Sequence, residues 1–501
     1  MAAGCGPKRP VPWGSVLRLR TPAGRWVIIG MVLGSAVAFL NASVVNVALP
    51  AIDEEFGAGV SGVQWVANGY LLTMASLILL GGSIGDLYGR RKTFLVGLAI
   101  LSVASVAAAF APTLPLLVAA RLIQGVGAAA MTPASLAIVD TAFHRDERSE
   151  AVGMWAAGSA VASAAGPFVG GWLVDEVSWR WVFAVSLPLA GVAAWATIRH
   201  VPETAVPGER DLDLAGGITA TLGVAGVVYA LIQGPDVGWG GAVALIGVLG
   251  AASCIAFVAV ERRTSHPMLP LRLFRIRQFS GTNAVTLIVY FAIGGAFFLA
   301  TLQLQTVVGY SATAAGLAWI PLNVLMIVGS PRAGALSARH GPRDLMAAGA
   351  VVLGIGMLLM TRIGAGSSYL VDVLPAVVVV GIGLALMVAP LTAAVLASVE
   401  DADVGISSAV NNATARTAGL LATAVLPLWA GTGEALGDSE FSDGFVRAMV
   451  ISAALCFVGA VVSWFTVYRT VSIHTTQQPN PLSGCSQVSV PEETGAGPPA
   501  P

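Results

Sequence analysis

The chain is expected to be an all-α polytopic membrane protein of about fourteen membrane helices. They form two pseudo-symmetric six-helix bundles with two further helices inserted between them. Three observations predict this. Of the 501 residues, 56% are hydrophobic and 11% charged, against roughly 25% charged in a soluble domain. Apolar runs of roughly 20 residues, long enough to cross a bilayer, recur along most of the length. Between them, basic and acidic loops alternate.

The runs fall near 26–49, 63–85, 93–111, 114–141, 151–174, 180–198, 213–233, 239–260, 280–307, 313–337, 345–362, 369–398, 404–431 and 445–468. A backbone in lipid must satisfy its own hydrogen bonds, so each run should be a helix. The runs are continuously apolar, unlike the alternating strands of a β-barrel. The basic start (Lys8, Arg9, Arg18, Arg20, Arg25) leads into an apolar run too long for a signal peptide. That run reads as a first helix that is retained.

The loops set the orientation. With the N-terminus inside, Arg90, Arg91, Lys92, Arg145, Arg148, Arg262, Arg263, Arg272, Arg275, Arg277, Arg339 and Arg343 all fall inside. The opposite loops carry Asp53, Glu54, Glu55, Asp175, Glu176, Glu434, Asp438, Glu440 and Asp443, with only Arg180, Arg362 and Arg447 nearby. This positive-inside bias requires an even helix count and places both termini in the cytoplasm.

Other classes are disfavoured. Net charge is −1, so no basic field points to nucleic acid. Cys5, Cys254, Cys456 and Cys485 form no C-x-x-C pair, which argues against a zinc site or a disulfide framework. No nucleotide-binding loop or nucleophile constellation occurs, and no cofactor is implied. The tail beyond about Thr470 is rich in Pro, Ser, Thr, Gln and Gly, a composition expected to be disordered.

An internal repeat supports two bundles. Gly82-Ser-Ile-Gly85-Asp86-Leu-Tyr-Gly89-Arg90-Arg91-Lys92 ends the second run; Gly334-Ala-Leu-Ser337-Ala338-Arg-His-Gly341-Pro342-Arg343 ends the tenth. Gly82 and Gly89 are seven apart, as are Gly334 and Gly341, and basic residues follow both. Duplicated halves with a site between them are a transporter signature. The expected division is a cytoplasmic segment 1–25, a bundle 26–198, the inserted pair and linker 199–279, a second bundle 280–468 and a tail 469–501. Arg210-Asp211 and the basic stretch 261–278 flank the insertion.

Several segments in chain order resemble the fourteen-helix drug:proton antiporter branch of the major facilitator superfamily. They are Asn41-Ala-Ser-Val-Val-Asn46-Val-Ala-Leu-Pro50 in helix 1, the Gly82–Lys92 segment, Leu117-Val-Ala-Ala-Arg121-Leu-Ile-Gln124-Gly125-Val-Gly127 in helix 4, and Ala164-Ala165-Gly166-Pro167-Phe-Val-Gly170-Gly171 in helix 5. Trp179-Arg180-Trp181-Val-Phe183 before Ser186-Leu-Pro188 matches less closely, as does Ser407–Thr417 with Asn411, Asn412 and Arg416.

The resemblance implies a role for each. Gly82, Gly85, Asp86, Gly89, Arg90 and Arg91 would latch the two halves in the outward-facing state, though a basic turn that only sets topology explains the same charges. Arg121 would take part in proton coupling; the alternative is an arginine that glues helices through carbonyls. A guanidinium inside a membrane helix costs at least ~2.5–3.5 kcal/mol, so a purpose is expected. Gly166, Pro167, Gly170 and Gly171 would seal the path against leak, or simply kink the helix.

The chain departs from the pattern at Asn41, where the branch usually carries an aspartate. No carboxylate lies near any expected helix centre; Asp86, Asp140 and Asp372 sit close to helix ends. Asn41 lies roughly 20–25 Å up helix 1, and Arg121 roughly 10 Å down helix 4 from the other face, so their depths nearly coincide. They are expected to share a polar pocket in the outer half with Arg121 lacking a carboxylate partner, as Arg416 does. Two arginines and no central acid favour a neutral, zwitterionic or anionic amphipathic substrate over a lipophilic cation. Asn46, Gln124 and Asn412 are further candidates for the pathway. The resemblance implies export of small amphipathic compounds such as antibiotics across a bacterial plasma (inner) membrane in exchange for protons, by a monomer in the lipid bilayer. The alternatives are a facilitator or symporter importing a metabolite, and a transport-dead sensor.

Overall fold

The computed structural model describes residues 17–203, 213–265, 267–400, 403–432, 436 and 439–469. The expectations for Lys8, Arg9, Cys5, Arg210-Asp211, Glu434, Asp438 and the tail from 470 lie outside the described residues.

Among the described residues the chain is helical and contains no strand. Numbered in chain order, helix 1 is Pro22–Phe56, helix 2 Gly59–Tyr88, helix 3 Arg90–Ala109, helix 4 Leu114–Ala142, helix 5 Arg145–Glu176, helix 6 Trp181–His200 and helix 7 Leu214–Val237. Helix 8 is Gly241–Arg263, helix 9 Arg277–Thr306, helix 10 Ala312–His340, helix 11 Pro342–Met360, helix 12 Tyr369–Leu396, helix 13 Val404–Ala430 and helix 14 Ser439–Thr466. Thirteen are long and apolar enough to cross a membrane. Helix 13, with 27 residues, has the length, roughly 40 Å. It carries Asn411, Asn412 and Arg416, which make it more polar.

Helix 12 opens with a π-helical turn at Tyr369–Val373, and three other helices depart from single continuous runs. Helix 1 tightens into a 3-10 turn at Val44–Ala48. Helix 6 breaks between Ala184 and Leu187, and helix 10 between Leu317 and Ile320. Each restart carries proline in its first turn, at Pro50, Pro188 and Pro321, where the missing N–H costs no helical bond.

The two bundles repeat one packing scheme. Helices 2 and 3 pack on helix 4, and helices 5 and 6 on helix 1; helices 10 and 11 pack on helix 12, and helices 13 and 14 on helix 9. The repeated glycines carry matching backbones: Gly89 has φ 111° and Gly341 φ 87°, so each chain reverses between helices in a conformation that favours glycine. Helices 7 and 8 form the inserted pair, and helix 7 lies against helices 2 and 13.

The molecule has an end with Arg90, Arg148, Arg272 and Arg343, called here the basic end, and an opposite acidic end with Glu55 and Asp175. The halves meet toward the acidic end. One apolar core runs from Leu49, Val63 and Phe183 of the first half into Phe298, Trp319 and Phe441 of the second. The basic part of the first half has its own core around Met31, Phe94 and Met131.

Glycines set the seam. A Cβ on Gly171 would collide with the Ala312 carbonyl, and one on Gly316 with the Pro167 carbonyl. Gly171→Val should therefore force helices 5 and 10 apart at the acidic end. Spin labels at Glu176 and Thr313 should lose their short-distance population in Gly171→Val and keep it in Gly191→Val, since Gly191 has open space around its Cβ position.

Candidate functional site

The buried polar centre of the first half is built on Arg121. Helix 4 sets Arg121 and Gln124 three residues apart, hence on one face, and helix 1 supplies Asn41 just before its 3-10 turn. Arg121 Nη1 donates to Gln124 Oε1 at 2.9 Å and to the Asn41 carbonyl at 3.3 Å, and Nε donates to the Val66 carbonyl at 3.0 Å. Gln124 Nε2 donates to Ser105 Oγ at 2.8 Å and reaches Asn41 Oδ1 at 3.5 Å. Asn41 Nδ2 donates to the Val37 carbonyl at 2.8 Å and to Ser186 Oγ at 3.0 Å.

This network is sealed: Arg121 and Gln124 are 0% exposed and Asn41 1%. The guanidinium carbon lies 4.7 Å from the Tyr70 ring centroid and 5.9 Å from that of Phe183, so aromatic faces replace part of its hydration. Arg121 Nη2 is buried with no hydrogen-bond partner. The structure thus brings Asn41, Arg121 and Gln124 together with side chains and carbonyls from helices 1, 2, 3, 4 and 6 and with no carboxylate among the hydrogen-bond partners.

Arg416 and Asn412 lie apart from this cluster. The Arg416 guanidinium sits 4.9 Å from the Phe39 ring centroid, reaching from helix 13 across to helix 1. Exposed Asn412 donates to the Ser408 carbonyl at 3.0 Å, while Asn411 bonds Asn283 Oδ1 at 3.2 Å and Thr286 Oγ1 at 2.8 Å. Asn46 occupies the 3-10 turn of helix 1, half-buried. Nearer the acidic end the halves are joined by Gln64 Nε2 donating to the Thr423 carbonyl at 2.9 Å, and by the Thr423 hydroxyl bonded to Asn68.

The helix-5 motif faces two ways. Gly166 and Gly170 press against Ser43 and Val44 at the helix-1 turn, while Pro167 and Gly171 press against Gly316 and Ala312 of helix 10. One turn on, Asp175 accepts the amides of Ala312 and Thr313 at 3.0 and 2.8 Å, capping the start of helix 10 from the other half.

The Gly82–Arg91 segment braces its own half. Asp86 Oδ1 accepts from Arg90 Nε and Nη2 at 2.9 and 2.8 Å, and Arg90 Nη1 reaches the Ala137 carbonyl and Thr141 Oγ1, both at 3.3 Å. Glu203 accepts the Arg91 and Lys92 amides at 3.1 and 3.2 Å beside Gly89, and Arg91 Nη2 donates to the Ile198 carbonyl at 2.8 Å. Gly82 and Gly85 pack on Pro133, Ala134 and Thr93. Among the described residues, all of these hydrogen bonds stay within the first half.

Sequence reasoning missed several members. Ser105 carries no motif signal of its own, and Ser186 stood only in a segment that matches less closely. Asp213 and Glu261, 6% and 3% exposed, are buried carboxylates at the basic end of the inserted pair. Asp213 Oδ1 caps helix 7 through the Gly216 amide at 2.7 Å, and Glu261 Oε2 accepts the Leu269 amide at 3.0 Å. An acidic residue beside Gly or at a helix end was the available signal. Arg332, inside helix 10, was also missed.

Arg121→Ala removes the donor for three buried acceptors, each costing about 1–3 kcal/mol when left unpaired. The expected result is a clearly lower unfolding temperature in detergent, with Arg121→Lys intermediate because a single ammonium reproduces part of the set. An unchanged melt would show that the network carries no stability.

Residues 31–424 match the model of the Major Facilitator Superfamily. Over 401 residues the chain is 36% identical to the Multidrug resistance protein Stp of Mycobacterium tuberculosis (strain CDC 1551 / Oshkosh), covering 80% of this chain and 74% of that one. It is 32% identical over 458 residues to the Probable actinorhodin transporter of Streptomyces coelicolor, covering 89% and 79%. It is 31% identical over 463 residues to the Puromycin resistance protein pur8 of Streptomyces alboniger, covering 89% and 92%. The fold is similar to the inward-facing, unoccupied crystal structure of a bacterial homolog of the human lysosomal transporter Spinster, with TM-score 0.65 at 16% identity over 89% of this chain and 97% of that one. With its two packed half-repeats, inserted helix pair and matching motifs, the chain belongs to the Major Facilitator Superfamily.

Proposed function

We propose that the chain exports small amphipathic compounds, antibiotics among them, across a bacterial plasma membrane in exchange for protons. The observation that carries this reading is the similarity, over most of the chain, to proteins named for resistance to or transport of antibiotics. The bundles 26–198 and 280–468 would rock as units about the path between them, with 199–279 as the inserted pair and linker. The protein would act as a monomer.

By the positive-inside bias the basic end and both termini would lie in the cytoplasm. In that orientation the seam of helices 2, 5, 10 and 13 closes the external side, and the molecule faces inward to load substrate. The Asp86–Arg90 pair and Gly82, Gly85, Gly89 and Arg91 then sit where the halves would meet in the opposite state, as a latch would. Gly166, Pro167, Gly170 and Gly171 support the external seal.

Coupling would run through the Arg121 network without a carboxylate at Asn41. Arg416, which reaches across to Phe39 of the first half, would favour neutral or anionic groups on the substrate, with Asn412 one turn away on the same helix. The missing aspartate also supports a second reading, facilitated movement of a metabolite without proton antiport.

Transport of a panel of charged and neutral antibiotics into everted vesicles under an imposed pH gradient separates the two. Gradient-driven accumulation, reduced at least about tenfold in Arg121→Ala, is expected from wild type, a loss of roughly 1.4 kcal/mol in coupling. Uptake indifferent to the gradient, or gradient-driven only in Asn41→Asp, would establish facilitation instead. Preferential export of quaternary ammonium dyes would overturn the substrate preference.

A further inference from the structure

The two halves treat equivalent positions of helices 2 and 10 differently. Aligning Gly82 with Gly334 sets Leu80 against Arg332. Leu80 packs on Gly217 of the inserted helix 7, so that flank of the first half is covered. The corresponding flank of helix 10 has no inserted helix over it. It forms an open groove of about 250 Å³ between helices 10 and 12, with Leu325, Gly329, Leu336, Ile382 and Leu386 as apolar walls around Arg332. Val324, Ile327, Val328 and Ile382 are exposed along this flank.

Arg332 stands eight residues before the basic end of helix 10, roughly 12 Å along the axis. A long cationic side chain at that depth ordinarily snorkels toward the nearer polar surface. Here it turns the other way. Its Nη1 donates to the Val328 carbonyl at 2.6 Å, one turn toward the acidic end, close to the middle of the Ala312–His340 span. Arg332 is exposed and lines the groove, and no carboxylate stands among the walls. A charge held there without an anion is the costly arrangement; an anion in the groove relieves it.

We propose that Arg332 and the groove between helices 10 and 12 bind an anionic amphiphile from the bilayer, a molecule with one apolar chain and a carboxylate or phosphate head. The head pairs with the guanidinium, and the chain lies along Leu325, Leu336 and Ile382. The guanidinium fork suits a two-oxygen anion better than a single ammonium would. The assignment stands on this groove alone and does not require the export reading.

The test uses the purified full chain in dodecyl maltoside with dansylundecanoic acid and its methyl ester as fluorescent probes. The acid should bind wild type, and Arg332→Gln should weaken it by about tenfold or more, as loss of a desolvated ion pair does. The ester should bind wild type less tightly and be indifferent to Arg332→Gln. Leu336→Trp, which fills the groove and keeps the charge, should weaken both probes. Equal affinity of wild type and Arg332→Gln for the acid, an equal loss of acid and ester in Arg332→Gln, or full acid binding in Leu336→Trp would each overturn the proposal. Two arms then separate the sources. Displacement of the acid by lysophosphatidylglycerol, with no accumulation of the acid in everted vesicles, assigns the site to a membrane lipid. Accumulation lost in Arg332→Gln assigns it to a transported compound.

Discussion

A guanidinium buried among helices with no carboxylate beside it has to be solvated by the protein alone. Arg121 meets that demand with two backbone carbonyls, one amide oxygen and two aromatic faces. The partners come from four helices of the first half, the arginine's own among them. Val66 and Tyr70 belong to helix 2, Asn41 to helix 1, Gln124 to helix 4 and Phe183 to helix 6. The arginine therefore ties the relative positions of these helices together, and a shift of any one of them alters the solvation of the charge. Its unpartnered Nη2 marks where solvation stops short.

The seam between the halves follows from a different constraint. Association in lipid gains little from apolar burial, so helices hold together by close contact and by hydrogen bonds. Helix 5 provides the close contact with Gly171 beside Ala312, and Asp175 adds hydrogen bonds to two free amides at the start of helix 10. Across the pseudo-two-fold axis, Gln64 and Asn68 join Thr423. Both devices lie toward the acidic end, so the contact is one-sided and leaves the basic ends without an equivalent tie among the described hydrogen bonds.

The inserted pair breaks the symmetry of the bundle. Helix 7 covers the junction of helices 2 and 13, where Leu80 meets Gly217. The related flank of helix 10 stays open, and its equivalent position is a cation. An apolar contact and a cationic groove thus occupy matching sites in the two repeats, which shows that duplicated halves have acquired separate surfaces.

The alternation of apolar runs with basic and acidic loops determined the helical class and the count, because hydrocarbon admits no unsatisfied backbone and interior charge is costly. The repeat around Gly89 and Gly341 was also legible, since only glycine adopts the positive φ of that turn at little cost. Depth along a helix was enough to set Asn41 level with Arg121. Rotation about each axis was not, because these helices are apolar on nearly every face and offer no amphipathic stripe to orient them. For that reason the sequence did not reveal that Ser105 and Ser186 complete the Arg121 network or that Arg332 faces outward along helix 10. The closed acidic seam also depended on contacts between residues more than one hundred positions apart. Only tertiary packing decides which glycine meets which carbonyl, because the same small residues at the same spacing suit many partners.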